Sequence, residues 1–460
     1  MAAIHKHEAV RIENTSKKEH IVDESHLDQN IHLNDAIQAE IDKDEKRVRK
    51  IIRKVDFRMV PILGLLYMWA LIDRVNLPNI QIAGMGTELE TTKGNRYTLV
   101  TMIFFVTYIL FDYPSNIALR KFGAAKWLGF IGTAWGCLTI AMGFVQSWKT
   151  LLVCRVIFGA LEAGMAPGCI YLLGAWYTRY EVQKRFAAWA CIGVFGSGIS
   201  SALVYGITTI GRVGGLNAWR WIFIIEGIVS AAVGIVAGIV LIDFPDRATR
   251  PGILFRKGFL TPEEAAIVLA RIERDRADAV PEPFTRRNVL RALSDWKMWQ
   301  FPFLLFCNNL TVYSFSYFLP IILHGSMGYS TKMTYFLTIP PYVCASIWMF
   351  AIGCLNDRLK VRGPTIIMQS LVITLAGQTK RALATAMLLM GGGCGGIAAS
   401  FAFQSKDAPD YIPGMITAIT SQVVTVILVS LNWFFFLHQN KKAEKGEVVL
   451  EETPGFRYTI

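Results

Sequence analysis

Apolar residues gather into ten runs of about twenty residues each, separated by short polar connections, and an eleventh run at 366–376 falls well short of that length. Twenty residues of helix rise about 30 Å, the hydrocarbon thickness of a bilayer, so each full run predicts one membrane-spanning helix. The predicted spans are 60–83, 97–119, 126–146, 150–174, 186–208 and 219–242, then 298–320, 333–355, 382–403 and 411–437. The run at 366–376 is too short to cross as an ordinary helix.

Lys and Arg alternate between loops that are rich in them and loops that have almost none, and the positive-inside bias turns that alternation into an orientation. The basic segments are the tail before Met59, then Arg120, Lys121 and Lys126, then Arg179, Lys184 and Arg185, then 243–297, then Arg358, Lys360 and Arg362, and finally Lys441, Lys442 and Lys445. Opposite loops carry little more than Lys149, Arg212 and Lys332, which predicts that both termini are cytoplasmic. The expected organisation is a cytoplasmic tail at 1–58, a six-helix bundle at 59–242, a cytoplasmic linker at 243–297, a shortened second bundle at 298–437 and a tail at 438–460. In the linker, Thr261, Pro262, Glu263 and Glu264 signal a helix start, and that helix is expected to be solvated and polar. Ile37, Ile41, Val48, Ile52 and Val55 form an apolar stripe beside Lys46, Arg47, Arg49, Lys50, Arg53 and Lys54, which predicts a juxtamembrane helix held by anionic membrane lipid.

Composition agrees with an integral membrane protein: of 460 residues 53% are hydrophobic and 18% charged. The net charge of +12 resides in loops flanking the spans, so it speaks for a bilayer and against nucleic acid. The eight cysteines lie in apolar runs without metal-type spacing, and no catalytic motif occurs, so neither metal, cofactor nor enzyme activity is expected. Gly391, Gly393 and Gly396 formally satisfy GxGxxG, but with no preceding strand they are better explained by close helix packing.

The chemistry lies in charges within the spans, which are expensive in lipid and therefore face a cavity or a partner. Asp73 and Arg74 interrupt the first span, and Arg155 and Glu162 lie seven residues apart in the fourth, on nearly the same helix face. A buried guanidinium suits a carboxylate ligand and a buried carboxyl can take up and release a proton, which is the chemistry of proton-coupled anion uptake. Pairing of Asp73 with Arg155, or of Arg74 with Glu162, as a latch between helices is the alternative reading, and it is preferred for Glu226. His324 is expected in an outer loop, while Asn308, Asn309, Tyr313 and Tyr317 suit either a substrate cavity or interhelical hydrogen bonds.

These motifs in order give the chain a resemblance. Leu71-Ile-Asp-Arg-Val-Asn76, Tyr113-Pro-Ser-Asn116, Arg155-Val-Ile-Phe-Gly-Ala-Leu-Glu-Ala-Gly164, Trp219-Arg-Trp-Ile-Phe-Ile-Ile-Glu-Gly227, Phe244-Pro-Asp246 and Ser405-Lys-Asp-Ala-Pro-Asp-Tyr411 resemble fungal major facilitator superfamily transporters. The likeness is to the anion:cation symporter branch, with its allantoate, nicotinate and pantothenate permeases, and runs over 55–436. It implies an all-α polytopic membrane protein of two bundles, with alternating access to a midplane site. It further implies Arg74 and Arg155 as anion ligands, Glu162 as proton carrier and Asp357 and Arg358 as gate residues; Tyr108, Asn308 and Tyr313 are expected as further substrate ligands, Asp73 as a second proton-coupling carboxyl and Arg120 as a further gate residue. Relatives place two complete spans where this chain has only 365–379, so about ten spans are expected instead of twelve. The expected function is symport of a small organic anion with a proton by a monomer, most simply in the plasma membrane. The alternative is a receptor-like or inactive relative lacking part of one bundle wall.

Overall fold

The computed structural model describes residues 45–251, 258–276, 293–359, 378–403, 407 and 411–447. The expectations for the tails at 1–44 and 448–460 and for the short run at 366–376 lie outside these residues. The long helices in chain order are α1 Glu45–Val75, α2 Arg96–Phe122, α3 Ala124–Met142, α4 Trp148–Glu162, α5 Met165–Trp176, α6 Arg179–Thr208, α7 Ala218–Val240, α8 Pro262–Arg276, α9 Lys297–Gly325, α10 Thr331–Leu359, α11 Gln378–Ala402 and α12 Ile412–Glu444. Every expected span overlaps one of them, α4 and α5 together making the fourth and α1 covering the first only as far as Val75. Among the described residues, seven stretches are long and apolar enough to cross a membrane, namely Arg47–Val75, Arg96–Phe122, Trp148–Trp176, Lys184–Thr208, Ala218–Val240, Met298–Gly325 and Ile412–Glu444. The apolar part of α11 is shorter, Met387–Ala402.

The chain forms two compact units, one of residues up to Asp56 with Pro245–Ala277, the other of Phe57–Phe244 with Asp278–Ile460. In the smaller unit Thr261 and Glu264 cap α8 reciprocally, each backbone N–H donating to the other's side chain at 3.2 and 3.0 Å. Arg47 pairs with Glu263 at 3.1 Å, and Lys54 donates to the Phe259 carbonyl at 2.9 Å. The linker helix is not polar all round as expected: Ala265, Val268 and Ile272, spaced by three and four residues, form a buried stripe.

In the larger unit small residues set the helix spacing. Gly129, Gly132 and Gly136 of α3 face Ala231, Gly234 and Gly238 of α7 backbone to backbone, and a Cβ on Gly129 would lie 2.5 Å from the Gly238 Cα. On α4, Gly159 lies against the Phe104 carbonyl of α2, and Gly164, in the break before α5, lies against Ser115. The glycines of α11 do the same for the second half: Gly391 and Gly395 meet the carbonyls of Pro302 and Phe306 on α9, and Gly393 and Gly396 meet Ile109 and Phe105 on α2. Close packing thus accounts for the GxGxxG spacing.

The first span does not run unbroken to residue 83. α1 ends at Val75, and the chain continues through short helical turns at Leu77–Ile80, Gln81–Met85 and Gly86–Glu88, the middle one wound more widely than an α-helix, with Gly84 at φ 120°. Pro78 sits within the first of these turns. Irregular winding of this kind is common where a helix carries a functional site, and here it directly follows Asp73 and Arg74.

Candidate functional site

Gly159 lets α4 approach α2 at the Phe104 carbonyl, and side chains of both helices meet Arg74 at the end of α1. Arg74 is 7% exposed, and its guanidinium lies over the rings of Phe104, Tyr108 and Tyr313, 5.1, 5.2 and 5.9 Å from their centroids. One terminal nitrogen donates to Glu162 Oε1 in a buried ion pair, and the other donates to the Tyr313 hydroxyl at 2.5 Å. Arg74, Glu162, Tyr108 and Tyr313 therefore meet at one point, drawn from α1, α4, α2 and α9.

Arg155 is 3% exposed and lies over Phe158, 5.4 Å from the ring centroid. Among the described residues no group accepts a hydrogen bond from it, and its Nε is fully buried. Burying a guanidinium without an acceptor is costly, so a site built this way favours an anion. Asp73 pairs with neither arginine. Its Oδ2 accepts from Trp135 Nε1 at 3.2 Å and from the Ser230 hydroxyl at 2.7 Å, tying α1 to α3 and α7. Glu226 accepts from Asn76 Nδ2 just beyond the end of α1, a neutral partner where the expected latch would pair opposite charges.

Other expected site residues lie elsewhere. Asn308 is half-buried on α9 with no hydrogen bond to a described residue, and five residues at about 100° each put it some 140° round the helix from Tyr313. Asn309 is closer in register and packs against Gly392. Arg120 stacks on Tyr171 at 4.5 Å, and the side chains of Asp357 and Arg358 lie outside the described residues. His324, expected in a loop, is exposed in the last turn of α9, beside the Tyr329 carbonyl at 3.0 Å.

Two features lie outside the expected set of site residues. Asp112 on α2 is 2% exposed, one helical turn from Tyr108, with Asn116 Nδ2 at 3.4 Å. Outside the spans, Glu88 accepts from Asn217 and Trp219, each at 2.6 Å, and from Arg220 at 2.7 Å. Arg220 also donates to the carbonyls of Gly143 and Val145 at 3.0 and 2.7 Å, so one ion pair staples three connections of the first half. Partial burial pushes the Glu88 carboxyl up, but the hydrogen bonds from Arg220, Trp219 and Asn217 outweigh it and hold the group below the ordinary carboxylate value.

Between the halves, Tyr335 donates to the Asn79 carbonyl at 3.1 Å, Thr338 to Ser201 at 2.9 Å, and Tyr97 lies edge-on to Phe318 at 6.2 Å. These contacts close one end of the bundle beyond the Arg74 cluster with neutral groups.

Residues 63–431 match the family described as Major Facilitator Superfamily. An uncharacterised transporter of Schizosaccharomyces pombe is 27% identical over 441 residues, covering 86% of this chain and 85% of that protein. The high-affinity nicotinic acid transporter of Saccharomyces cerevisiae is 26% identical over 434 residues, covering 86% and 79%. Among solved structures, the xylose transporter XylE of E. coli in a partially occluded inward-open conformation superposes with a TM-score of 0.54 at 13% identity, covering 83% of this chain and 99% of that one, a likeness of fold.

Proposed function

Since the chain belongs to the major facilitator superfamily, we propose that it is a permease coupling the uptake of a small organic anion to a proton, with Arg155 and Arg74 as anion ligands and Glu162 as proton carrier. The observation that carries this reading is Arg155, a guanidinium 3% exposed with no acceptor among the described residues, on the same helix as a carboxyl already paired to the second arginine. The likeness to a nicotinic acid transporter adds support for a carboxylate as cargo.

Charge supplies the coupling. With Glu162 ionised, Arg74 is neutralised by it. A proton on Glu162 releases Arg74, and an incoming carboxylate restores the balance across the same guanidinium. One proton and one monoanion entering together leave the charge of the buried cluster unchanged, which is the cheapest loaded state in a low-dielectric site. We place both termini in the cytoplasm, ten spans in the bilayer and the protein in the plasma membrane, on the alternation of basic loops. A receptor-like relative would not need an anion-ready arginine beside a titratable carboxyl.

The test is uptake of labelled carboxylates, nicotinate among them, into proteoliposomes under an imposed pH gradient. Arg155→Lys is expected to cut uptake at least tenfold with normal membrane delivery, because a point charge does not replace the planar donor set. Unchanged uptake kinetics would remove Arg155 from the site.

A further inference from the structure

The coupling scheme leaves one buried acid without a role. Asp73 and Glu226 accept hydrogen bonds from side chains of neighbouring elements, whereas Asp112 has only the Asn116 amide, one turn along its own helix, at 3.4 Å. We infer that Asp112 is a second station for the coupled proton, taking it over from Glu162 and passing it on to the cytoplasm. The inference rests on the proton-coupled reading and adds the path by which the proton leaves.

Order along α2 carries it. Tyr97, edge-on to Phe318, belongs to the closed end of the bundle, and Phe104 and Tyr108 then hold the Arg74 guanidinium. Asp112 follows one turn beyond Tyr108, about 6 Å of helix rise. Roughly another 12 Å of rise leads to Arg120, which with Lys121 forms the basic last turn that the proposed orientation puts in the cytoplasm. Asp112 thus stands on the side of the arginine cluster toward which the proton departs. Tyr108 is near enough to feel the charges of Arg74, Asp112 and Glu162 alike, and its hydroxyl has no hydrogen bond to a described residue. A phenol so placed can accept a proton from Glu162 and give its own to Asp112. That exchange leaves Glu162 ionised and free to pair with Arg74 again, and Asn116 Nδ2 stands ready for the carboxylate that remains once Asp112 has released the proton.

No cation within the protein answers Asp112. On the helices packed around this stretch of α2, the ionisable groups are Arg155 and Glu162 of α4 and Tyr313 and Tyr317 of α9, and none of them forms an ion pair or hydrogen bond with it. On α11 the register set by Ile109 on Gly393 and Phe105 on Gly396 puts Leu389 and Met390 opposite. Trp127 of α3 and Gly164, in the break before α5, meet the neighbouring Ser115. A carboxylate buried without a cation is costly, so a site of this kind favours taking one up. Among the described residues no three His, Cys, Asp or Glu side chains gather to hold a metal ion, so the cation that suits Asp112 is a proton.

The test uses the full-length protein in proteoliposomes and labelled nicotinate, comparing net uptake under a pH gradient with counterflow exchange. Exchange cycles the loaded carrier without releasing its proton, so the two assays separate release from binding. Asp112→Asn is expected to cut net uptake at least about tenfold, while exchange proceeds and still varies with pH, unlike the exchange of a Glu162→Gln variant. Asp112→Glu, which keeps a carboxyl there, should restore net uptake. Should Asp112→Asn fail to fold, Asn116→Leu removes the carboxyl's one partner and should move the pH midpoint of net uptake by about half a unit or more. Net uptake with an unchanged rate and pH midpoint in these variants would overturn the relay. So would loss of exchange together with net uptake in Asp112→Asn, the mark of a merely structural residue. No accumulation of nicotinate by the unmodified protein would count against the proton-coupled reading itself, and the relay would fall with it.

Discussion

Arg74 cannot hold Glu162 and a substrate carboxylate with the same edge of its guanidinium. One terminal nitrogen is engaged by Glu162 and the other by Tyr313, and both Arg74 Nε and Glu162 Oε2 are buried without a partner. Glu162→Gln should therefore mimic the protonated state permanently. In proteoliposomes this variant is expected to lose accumulation driven by a pH gradient, while counterflow exchange of the same anion persists and no longer varies with pH. Retention of pH-driven accumulation would exclude Glu162 as the carrier. In the unmodified protein uptake should rise as the pH on the substrate side falls, because acidification populates the protonated carboxyl. That Arg155 and Glu162 share a face was legible from their spacing, since seven residues nearly close two turns. The Arg74–Glu162 pair was legible only as one of two alternative latches, and the other, Asp73 with Arg155, does not form. Which of two arginines meets Glu162 depends on how closely α2, α4 and α1 approach, and that is set by Gly159 and Gly164, where the absence of a side chain carries no charge to notice. Asp112 was overlooked for a related reason, since burial of a single acid beside Tyr113-Pro-Ser-Asn116 depends on helices far away in the chain.

At the scale of helices, the first half is held by two devices of opposite chemistry. The α3–α7 contact is built from absent side chains, and Gly136→Leu would drive a side chain into the backbone at Ala231. Neither helix can shift without losing the rest of the ladder, so the variant is expected to leave little monodisperse protein by size-exclusion chromatography after detergent extraction. Gly174→Ala, where a Cβ meets nothing within 4 Å, is the matched control and should behave as unmodified protein. The second device is the Glu88–Arg220 staple outside the spans. Arg220→Met leaves the Gly143 and Val145 carbonyls without this donor and the Glu88 carboxylate with only Asn217 and Trp219, and a loss on the order of 1–3 kcal/mol, seen as a lowered midpoint of thermal unfolding, is the expected result. The sign of its pH dependence follows from the depressed carboxyl of Glu88. The staple contributes fully above the unfolded carboxylate value near about 4.3 and loses that contribution as pH falls through the lower folded value. A melting midpoint that responds to acid equally in the unmodified protein and in Arg220→Met would contradict it. Of these devices the sequence offered only Trp219-Arg-Trp221 as a motif, because a staple among three connections is written in residues more than seventy positions apart.

The direction in which helices run decides how the second half crosses the membrane. Pro302 and Phe306 of α9 meet Gly391 and Gly395 of α11 in the same order, so these two helices are parallel. Ile109 and Phe105 of α2 meet Gly393 and Gly396 in the reverse order, so α2 and α11 are antiparallel. Ser316 bonds to Tyr342, which folds α10 back along α9. Leu359 and Gln378, the described residues on either side of 360–377, consequently stand at the same end of the helices. Thr311 against Ser421 and Trp296 against Phe435 make α12 antiparallel to α9, so α12 ends where α9 begins. Hydropathy made the spans legible because it is local, but it could not weigh what each span packs against. In the first half α7 has its most apolar window 44% buried, resting on the glycines of α3, whereas α12 has only 17% of its window buried. Among the described residues no second-half helix stands to α12 as α3 stands to α7. In the proposed orientation, an even number of crossings in each half puts Lys441, Lys442 and Lys445 on the same side as the basic N-terminal tail, where the positive-inside bias expects them. With the native cysteines replaced, Arg49→Cys and Glu447→Cys should react with a membrane-impermeant maleimide only after permeabilisation, and Met327→Cys, in the α9–α10 connection, should react in intact cells. Labelling of Glu447→Cys from outside would require an odd number of crossings, and α11 would then have to run opposite to the direction its contacts with α2 and α9 define.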